Sequence, residues 1–243
     1  MNMVQRAVIV AAGEGKRMHP VTLEVPKPLV RVNGIRMIDT VIEALRTNGI
    51  QEIYIVVGYL KEQFEALKQE YPEIRLIENP YYKECNNISS LYAARNYIEE
   101  AVILDGDQMI FNAGILCREF ERSGYNCVWT EEPTKEWILT VQNGKVCGCS
   151  RNGGSKGWQL YSISRWTKED GHKLKKYLEY EFEVKKNRQI YWDDVALFCY
   201  PEQFQLGIME MRKGDIAEID NLEELAALDG SYLNYFEKER KNG

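Results

Sequence analysis

Apolar residues along the first half of the chain alternate between two spacings. Continuous apolar runs, typical of strands buried on both faces, predict β-strands at 6–12, 52–58, 74–79 and 101–107. Apolar residues spaced three and four positions apart predict helices between those strands, at 37–49, 59–71 and 89–100. Strands that alternate with helices are typical of a parallel sheet with right-handed crossovers, so this half is predicted to be an open α/β sheet.

The pattern changes near Tyr125, where shorter apolar runs predict an inserted group of strands. These runs lie at 126–132, 137–149 and 158–164. Asn143 and Gly144 interrupt the second run and predict a hairpin turn. A largely polar, solvent-facing helix is predicted at 167–183, then a strand at 215–220 and a helix at 221–236. One continuous α/β domain over 1–243, with a small β insertion, accounts for the whole pattern.

Composition narrows the class of protein. The 243 residues are 44% hydrophobic and 28% charged, which is enough for one sizeable core. A net charge of −6 with mixed signs predicts no nucleic-acid partner. The apolar runs are too short for membrane insertion, and the absence of a signal-peptide pattern at the start predicts the cytoplasm. The six scattered cysteines are expected to be buried free thiols, and nothing specifies an oligomeric state. The polar tail at 236–243 is expected to fray or to lead into a further domain.

The turn after the first predicted strand combines glycine with cationic side chains. Gly13 and Gly15 let the backbone approach an anion and point N–H groups at it, while Lys16 and Arg17 add positive charge. The spacing matches neither common nucleotide motif. Met18 stands where the dinucleotide motif has its third glycine, and the two glycines are too close together for a P-loop. Taken alone, the turn is either an anion-binding loop or a mobile loop with solvated charges.

The residues beyond this turn favour the first interpretation. "GEGKRM" is followed by "PKPL", and the two together resemble the G-x-G-x-R and P-K-x-L pattern of nucleotidyltransferases that make NDP-sugars and CDP-alcohols. The resemblance implies a single-domain, Rossmann-like α/β nucleotidyltransferase fold with a mixed, mostly parallel central sheet. It divides the chain into a nucleotide-binding half, 1–110, and an acceptor-binding half, 111–243. It also implies that Arg17 and Lys27 act on the reacting phosphates. The implied triphosphate contacts are Ala11, Ala12, Gly13, Gly15, Lys16 and Arg17.

Two pairs of aspartates are candidates for metal binding. Asp105 and Asp107 end the fourth predicted strand, and Asp193 and Asp194 lie far downstream. Mg²⁺ can bind through one or two carboxylates together with substrate phosphate oxygens. The resemblance implies that Asp107 and Asp193 hold Mg²⁺ and that Asp105 supports the loop or a metal-bound water. Asp194 is expected to face away as a solvated or capping residue. The other interpretation is that all four are surface turn acids.

The segment 78–96, "ENPYYKECNNISSLYAARN", carries amide and hydroxyl side chains that could read a base or cap a helix. It resembles the N-x-x-Y…NN-x-x-SL segment of bacterial phosphocholine cytidylyltransferases, and the likeness recurs in "DGDQMIF", "EEPTKEW", "YWDD" and "EIDNLEEL". The family resemblance implies CTP as the nucleotide. The residues then expected on the nucleotide, in addition to the loop, are Asn86, Asn87, Ser90 and Asp105.

The same resemblance implies an acceptor with an ammonium group and an anionic phosphorus group. Aromatic faces and carboxylates bind a quaternary ammonium, and the candidates are Glu131, Trp137, Tyr191 and Trp192. The aromatic residues could equally be ordinary core residues. Phosphocholine is expected first, but phosphoethanolamine and 2-aminoethylphosphonate remain open because nearby glutamates could accept hydrogen bonds from a primary amine. Asp220 is at least as well explained as a helix N-cap as by a role in the site.

Two other functions agree with parts of the sequence. A sugar-1-phosphate nucleotidyltransferase would use the same loop but would need a polar sugar-binding segment in place of the aromatic and acidic residues. A non-catalytic nucleotide sensor would tolerate the loss of Lys27, Asp107 or Asp193. All three residues are present, which favours an enzyme.

Overall fold

The computed structural model describes residues 1–235. The central sheet is built from strands β1 Arg6–Ala11, β2 Glu52–Val57, β3 Ile74–Glu78, β4 Ala101–Asp105, β5 Gly124–Thr130, β6 Ile138–Gln142, β7 Lys145–Ser150, β8 Gly157–Trp166 and β9 Gly207–Met211. The α-helices are α1 Met37–Thr47, α2 Leu67–Glu70, α3 Ile88–Ala93, α4 Lys168–Glu179 and α5 Leu222–Leu228.

The predicted fold class is confirmed. Strands β3, β2, β1 and β4 lie side by side in that order, and each neighbouring pair is parallel. Strand β4 then pairs antiparallel with β8, so the strands of the second half extend the same sheet. Strand β8 pairs antiparallel with both β5 and β6, β6 forms a hairpin with β7, and β5 pairs parallel with β9.

Burial on both faces of the sheet explains the continuous apolar runs. Successive strand side chains point to opposite faces. In β1, Ile9 belongs to the apolar cluster that includes α1, whereas Val8 belongs to the cluster that includes α3 and α4. Both side chains are fully buried. A strand that is covered on both faces therefore has apolar residues at successive positions in the sequence.

The later predicted helices are less regular than expected. The helix predicted at 89–100 is α3, Ile88–Ala93, followed by a 3₁₀ turn at Arg95–Tyr97. The helix predicted at 59–71 is a 3₁₀ turn, Lys61–Ala66, followed by the short α2. The predicted polar helix ends in a π-helical turn, Tyr180–Val184, and it is not simply solvent-facing, because Leu174 and Leu178 are fully buried. Their spacing of four places both on the face that packs against the sheet.

The C-terminal segment returns to the end of β4. The strand Ile216–Glu218 pairs antiparallel with Gln108–Ile110, with Glu218 opposite Gln108. This pairing places the residues before α5 beside those that follow β4. The predicted helix continues beyond α5 with a 3₁₀ turn at Gly230–Tyr232, and the predicted tail at 236–243 lies outside the described residues.

All six cysteines are free thiols, as predicted, but the expectation that they are buried holds only for Cys127, since Cys85, Cys149 and Cys199 are partly exposed. Cys117 and Cys147 are exposed, whereas Cys127 is fully buried. Cys147 lies on β7, the edge strand of the sheet, which leaves one side of that strand uncovered. Within residues 1–235, no helix is both long enough and apolar enough to span a bilayer.

Candidate active site

A cavity of about 650 Å³ lies at the carboxyl ends of β1 and β4. Ligands of open α/β sheets bind at this end of the strands. The structure brings most of the predicted site residues to the walls of this one cavity: Ala11, Ala12, Gly13, Gly15, Lys16, Arg17, Lys27, Asn86, Asn87, Ser90, Asp105, Asp107, Trp137, Tyr191 and Asp193.

The glycine loop is held tightly at Gly15, which has the left-handed φ of 62°. A Cβ atom built on Gly15 would lie 3.1 Å from side-chain atoms of both Thr22 and Lys27, so glycine suits this position sterically as well as conformationally. The Thr22 hydroxyl donates to the Gly15 carbonyl oxygen at 2.8 Å. The loop therefore lies directly against the segment that carries Lys27.

Lys27 lies between two carboxylates. Its Nζ is 2.5 Å from Asp107 Oδ2 and 2.9 Å from Asp220 Oδ1, and the residue is 8% exposed. Burial alone would lower the pKa of Lys27, but the charges and hydrogen bonds of the two aspartates raise it well above its usual range. Arg17 Nη2 also lies 2.9 Å from Asp220 Oδ1. The arrangement is a permanent cation held by two carboxylates at the base of the loop.

Further carboxyl groups in the cavity titrate far from their ordinary range. Burial, followed by the charges of Asp107 and Asp193, raises the pKa of Asp105 well above its usual value. Burial, together with the charge of Asp107, raises the pKa of Glu218 to about 8. Burial also raises the pKa of Asp193 to about 7, and Asp194 adds to that increase. These raised pKa values favour the protonated, neutral forms of the three carboxyl groups, and a cationic ligand would favour their ionised forms.

The segment after β3 forms the opposite wall. The Asn79 side-chain amide donates to the hydroxyls of Ser89 and Ser90 at 2.9 and 3.0 Å, which fixes the start of α3. Asn87 Oδ1 accepts a hydrogen bond from the Trp192 backbone N–H at 2.9 Å. The Asn87 side chain therefore ties the predicted nucleotide wall to the segment that carries the predicted acceptor residues.

The four predicted acceptor residues separate into two groups. Trp137 and Tyr191 line the cavity and meet edge to face, with ring centroids 5.6 Å apart. Trp192 is 1% exposed, packs against Tyr125 and Trp166, and is not on the cavity wall. Because neighbouring side chains in this turn point in different directions, only Tyr191 of the two faces the cavity.

Glu131 also lies away from the cavity wall. It is exposed and forms an ion pair with Lys156 at 2.8 Å. Glu136, next to Trp137 in the sequence, lines the cavity instead. The loop between β5 and β6 therefore changes direction between Glu131 and Glu136, so that only Glu136 lines the cavity. The sequence did not predict this change of direction.

Comparison with known proteins agrees with this geometry. The family model described as the MobA-like NTP transferase domain matches residues 7–165 of the sequence. The chain belongs to this family. It is 38% identical to a 2-aminoethylphosphonate cytidylyltransferase of Lancefieldella rimae, with 93% of each chain covered. It is 31% identical to a choline-phosphate cytidylyltransferase of Streptococcus pneumoniae, with 92% of this chain and 96% of the relative covered.

A solved structure agrees with the same assignment. The CTP:phosphocholine cytidylyltransferase of Streptococcus pneumoniae superposes with a TM-score of 0.87 and 31% identity, covering 94% of this chain and 98% of that structure. This MobA-like NTP transferase is therefore an enzyme of the nucleotidyltransferase class, as predicted from the loop. Membership of that class removes the non-catalytic sensor from the alternatives.

Asp220, which the sequence left open between a helix cap and a site residue, belongs to the site. The N-cap of α5 is Asn221, whose side chain accepts from the Glu224 N–H, so Asp220 is free to contact Lys27 and Arg17. The interpretation of Asp220 as a helix cap is thus wrong by one residue. The signal was present in "EIDN", where two adjacent residues could each have capped the helix.

Asp194 faces away from the cavity, as predicted, but it is buried rather than solvated, and its side chain makes no capping hydrogen bond at the N-cap position of the turn Val195–Cys199. Its carboxylate binds Arg151 at 2.5 Å and accepts from the Tyr191 N–H at 2.9 Å. Asp193 lines the cavity at 6% exposure, and its Oδ1 has no hydrogen-bond partner among residues 1–235. The Lys27 ammonium lies between Asp107 and Asp220 and forms no ion pair with Asp193. The joint binding of Mg²⁺ by Asp107 and Asp193 stays a prediction.

Proposed function

We propose that this MobA-like NTP transferase is a magnesium-dependent cytidylyltransferase of the cytoplasm. It transfers CMP from CTP to a small aminoalkyl phosphonate or phosphate and releases pyrophosphate. The names of the 38% and 31% identical relatives support both the nucleotide and this class of acceptor. Their coverage of more than nine-tenths of the chain extends that support to the acceptor-binding half.

One observation carries the proposal: a single cavity holds complementary groups for both ends of the reaction. The glycine loop with Lys16, Arg17 and Lys27 suits a triphosphate. Trp137, Tyr191 and the buried carboxylate of Asp193 suit an ammonium group on the acceptor. A phosphorus group of the acceptor would then lie between these two ends, where the α-phosphorus of the nucleotide must be.

The donor set suits Mg²⁺. Asp107 and Asp220 each present an oxygen to the same cation, Lys27 Nζ, so the two carboxylates already converge on one positive charge. Among residues 1–235 no group of three or more candidate ligands is present, but Mg²⁺ needs only one or two carboxylates when phosphate oxygens and waters complete its shell. We therefore assign Asp107 and Asp220 as the residues that would hold it. When bound, Mg²⁺ would neutralise charge on the reacting phosphate oxygens.

Different side chains then act on different parts of the reaction. A phosphonate or phosphate oxygen of the acceptor attacks the α-phosphorus, and the bond to the β-phosphate oxygen breaks as pyrophosphate leaves. Arg17, Lys16 and the loop N–H groups bind the departing phosphates, and Lys27 stabilises negative charge at the reacting centre. The acceptor is already largely ionised near neutral pH, because a second phosphate pKa of about 6 leaves little proton to remove. No general base is required.

The acceptor end favours a primary ammonium group. Asp193 lines the cavity with a buried carboxylate that lies beside the Tyr125 hydroxyl, and a ligand with hydrogen-bond donors would suit this acidic end of the wall. A primary ammonium donates three hydrogen bonds, whereas a quaternary ammonium donates none. We therefore place the two primary amines ahead of phosphocholine, the acceptor expected from the sequence, and the name of the 38% identical relative supports 2-aminoethylphosphonate ahead of phosphoethanolamine.

A matrix of substrates tests the proposal. The protein is incubated with Mg²⁺, each of CTP, UTP, ATP, GTP and dTTP, and each of 2-aminoethylphosphonate, phosphoethanolamine, phosphocholine and glucose-1-phosphate. Pyrophosphate release is the readout, with Asp107→Asn as the inactive control. We expect the highest kcat/KM for CTP with 2-aminoethylphosphonate. Productive turnover only for UTP or dTTP with the sugar phosphate would refute the proposal.

A further inference from the structure

Two aromatic residues form the wall that faces the acceptor end of the cavity. Trp137 precedes β6 and Tyr191 begins the turn before Asp193, so the two rings come from distant parts of the chain. Tyr191 is 47% exposed, and its ring contacts Trp137 only edge to face. One such edge-to-face pair is too weak to fix two loops by itself. Other contacts must therefore hold the wall in place.

Asp194 fixes the Tyr191 side of this wall from behind. It is 2% exposed, does not line the cavity, and accepts a hydrogen bond from the Tyr191 backbone N–H through Oδ2 at 2.9 Å. Its other oxygen, Oδ1, lies 2.5 Å from Arg151 Nη2. A buried carboxylate depends strongly on its cationic partner, since loss of that partner leaves an uncompensated buried charge.

Arg151 joins both sides of the wall. It follows β7, and its guanidinium carbon lies 3.9 Å from the ring centroid of Phe198 and 5.6 Å from that of Trp137. Phe198 in turn meets Trp137 edge to face at 5.6 Å. A planar guanidinium can stack on aromatic rings and pair with a carboxylate at the same time, which a lysine ammonium cannot do as well. One side chain thus connects the β6–β7 hairpin with the segment that carries Tyr191.

We propose that Arg151 is a positioning residue for acceptor binding. It stacks on Phe198, which packs against Trp137, and it holds Tyr191 through Asp194, all from outside the cavity wall. This inference rests on the proposed function, because it assumes that the wall receives the ammonium end of the acceptor. Arg151 forms no ion pair with the loop or with the Lys27 cluster, whose charged partners are different residues. Its effect should therefore fall on the acceptor and spare the nucleotide.

The test compares Arg151→Met with Arg151→Lys. Methionine keeps an unbranched apolar stem but loses the charge and every donor, and we expect the KM for the acceptor to rise about tenfold with the KM for CTP within about twofold. Lysine restores the charge for Asp194 without the planar stacking, so it should rescue the acceptor KM in part. Binding of CTP to each variant, measured by calorimetry, and the circular dichroism spectrum confirm that the fold and the nucleotide site are intact.

Lys156→Met is the matched control. Lys156 also lies over a tryptophan, 5.5 Å from the ring centroid of Trp129, and also pairs with a glutamate, but Trp129 does not line the cavity. Its acceptor KM should match the wild type. An unchanged acceptor KM in Arg151→Met, or an equal rise in the KM for CTP, would overturn the inference. A wild-type protein that releases no pyrophosphate with any aminoalkyl acceptor would instead overturn the proposed function.

Discussion

Lys27 and Asp107 are 80 positions apart in the sequence, yet Lys27 Nζ and Asp107 Oδ2 are 2.5 Å apart at the base of the glycine loop. The ammonium also contacts Asp220 and therefore occupies the space between the two carboxylates that we assign to Mg²⁺. A divalent cation entering this position must displace the ammonium, which can then move toward the phosphates. In this proposal, Lys27 competes with the metal in the ligand-free enzyme.

The first prediction concerns metal binding without nucleotide. Lys27→Met removes the competing charge and should strengthen binding of Mn²⁺, used as a probe for Mg²⁺, by about tenfold or more in the free enzyme. Electron paramagnetic resonance of free Mn²⁺ during a titration measures this. Lys16→Met is the control, since Lys16 also lines the cavity but pairs with Glu14. Equal Mn²⁺ affinities in wild type and Lys27→Met would contradict the prediction.

The second prediction separates the roles of two aspartates. Asp220→Asn should lower kcat by about 100-fold and weaken Mn²⁺ binding in the presence of CTP, because a metal ligand is lost. Asp193→Asn should keep that Mn²⁺ affinity and raise the KM for the acceptor about tenfold, through loss of a charged hydrogen-bond partner. Asp170→Asn, in the first turn of α4, is the neutral control. If Asp193→Asn loses Mn²⁺ binding instead, Asp193 is the metal ligand that the sequence predicted.

The third prediction concerns pH. Burial raises the pKa of Asp193 from 3.8 to about 7, so the folded protein holds this proton more tightly than the unfolded chain does. The contribution of Asp193 to the free energy of unfolding is therefore present below about pH 4 and is lost as the pH rises to 7, by at most about 1.4 kcal/mol per pH unit. Urea unfolding of wild type and Asp193→Asn at pH 5 and pH 7 measures the difference.

The comparison of these two proteins reports on Asp193 together with Asp105, whose pKa responds to the charge of Asp193. Glu218, whose pKa is raised in the same direction, is present in both and its effect cancels. The stability of the wild type relative to Asp193→Asn should fall between pH 5 and pH 7. A difference that stays constant over this interval would show that Asp193 is ionised throughout it.

The fourth prediction concerns packing. A Cβ built on Gly171 of α4 would lie 2.6 Å from the Ile98 carbonyl oxygen and 2.7 Å from Glu99 Cα, both backbone atoms. Gly171→Ala should lower the free energy of unfolding by about 2 kcal/mol, although alanine normally stabilises a helix. Gly148→Ala is the control, because its nearest contact would be 3.8 Å away and its effect should stay within about 0.5 kcal/mol. Equal effects of the two substitutions in urea unfolding would show that α4 can move aside.

The direction of the predicted acceptor side chains could not be predicted from the sequence. Trp137, Tyr191, Trp192 and Glu131 were equivalent candidates in the sequence, yet only the first two line the cavity. Side-chain direction in turns depends on backbone dihedral angles that periodicity does not report, because periodicity describes only regular helices and strands. Arg151 carried no signal in the sequence, since its partners Asp194, Phe198 and Trp137 meet only after the hairpin packs against the turn.

By itself, the sequence determined the strands of the parallel half, the glycine loop and the class of enzyme, because these depend on local spacing and on contiguous motifs. Tertiary structure alone decided which carboxylates meet. The pairing of Ile216–Glu218 with Gln108–Ile110 brings Asp220 to Lys27 across 193 positions, and no local pattern encodes such a pairing. Long-range contacts of this kind follow from the packing of the whole chain, in which each strand is placed by its neighbours in the sheet rather than by its own residues.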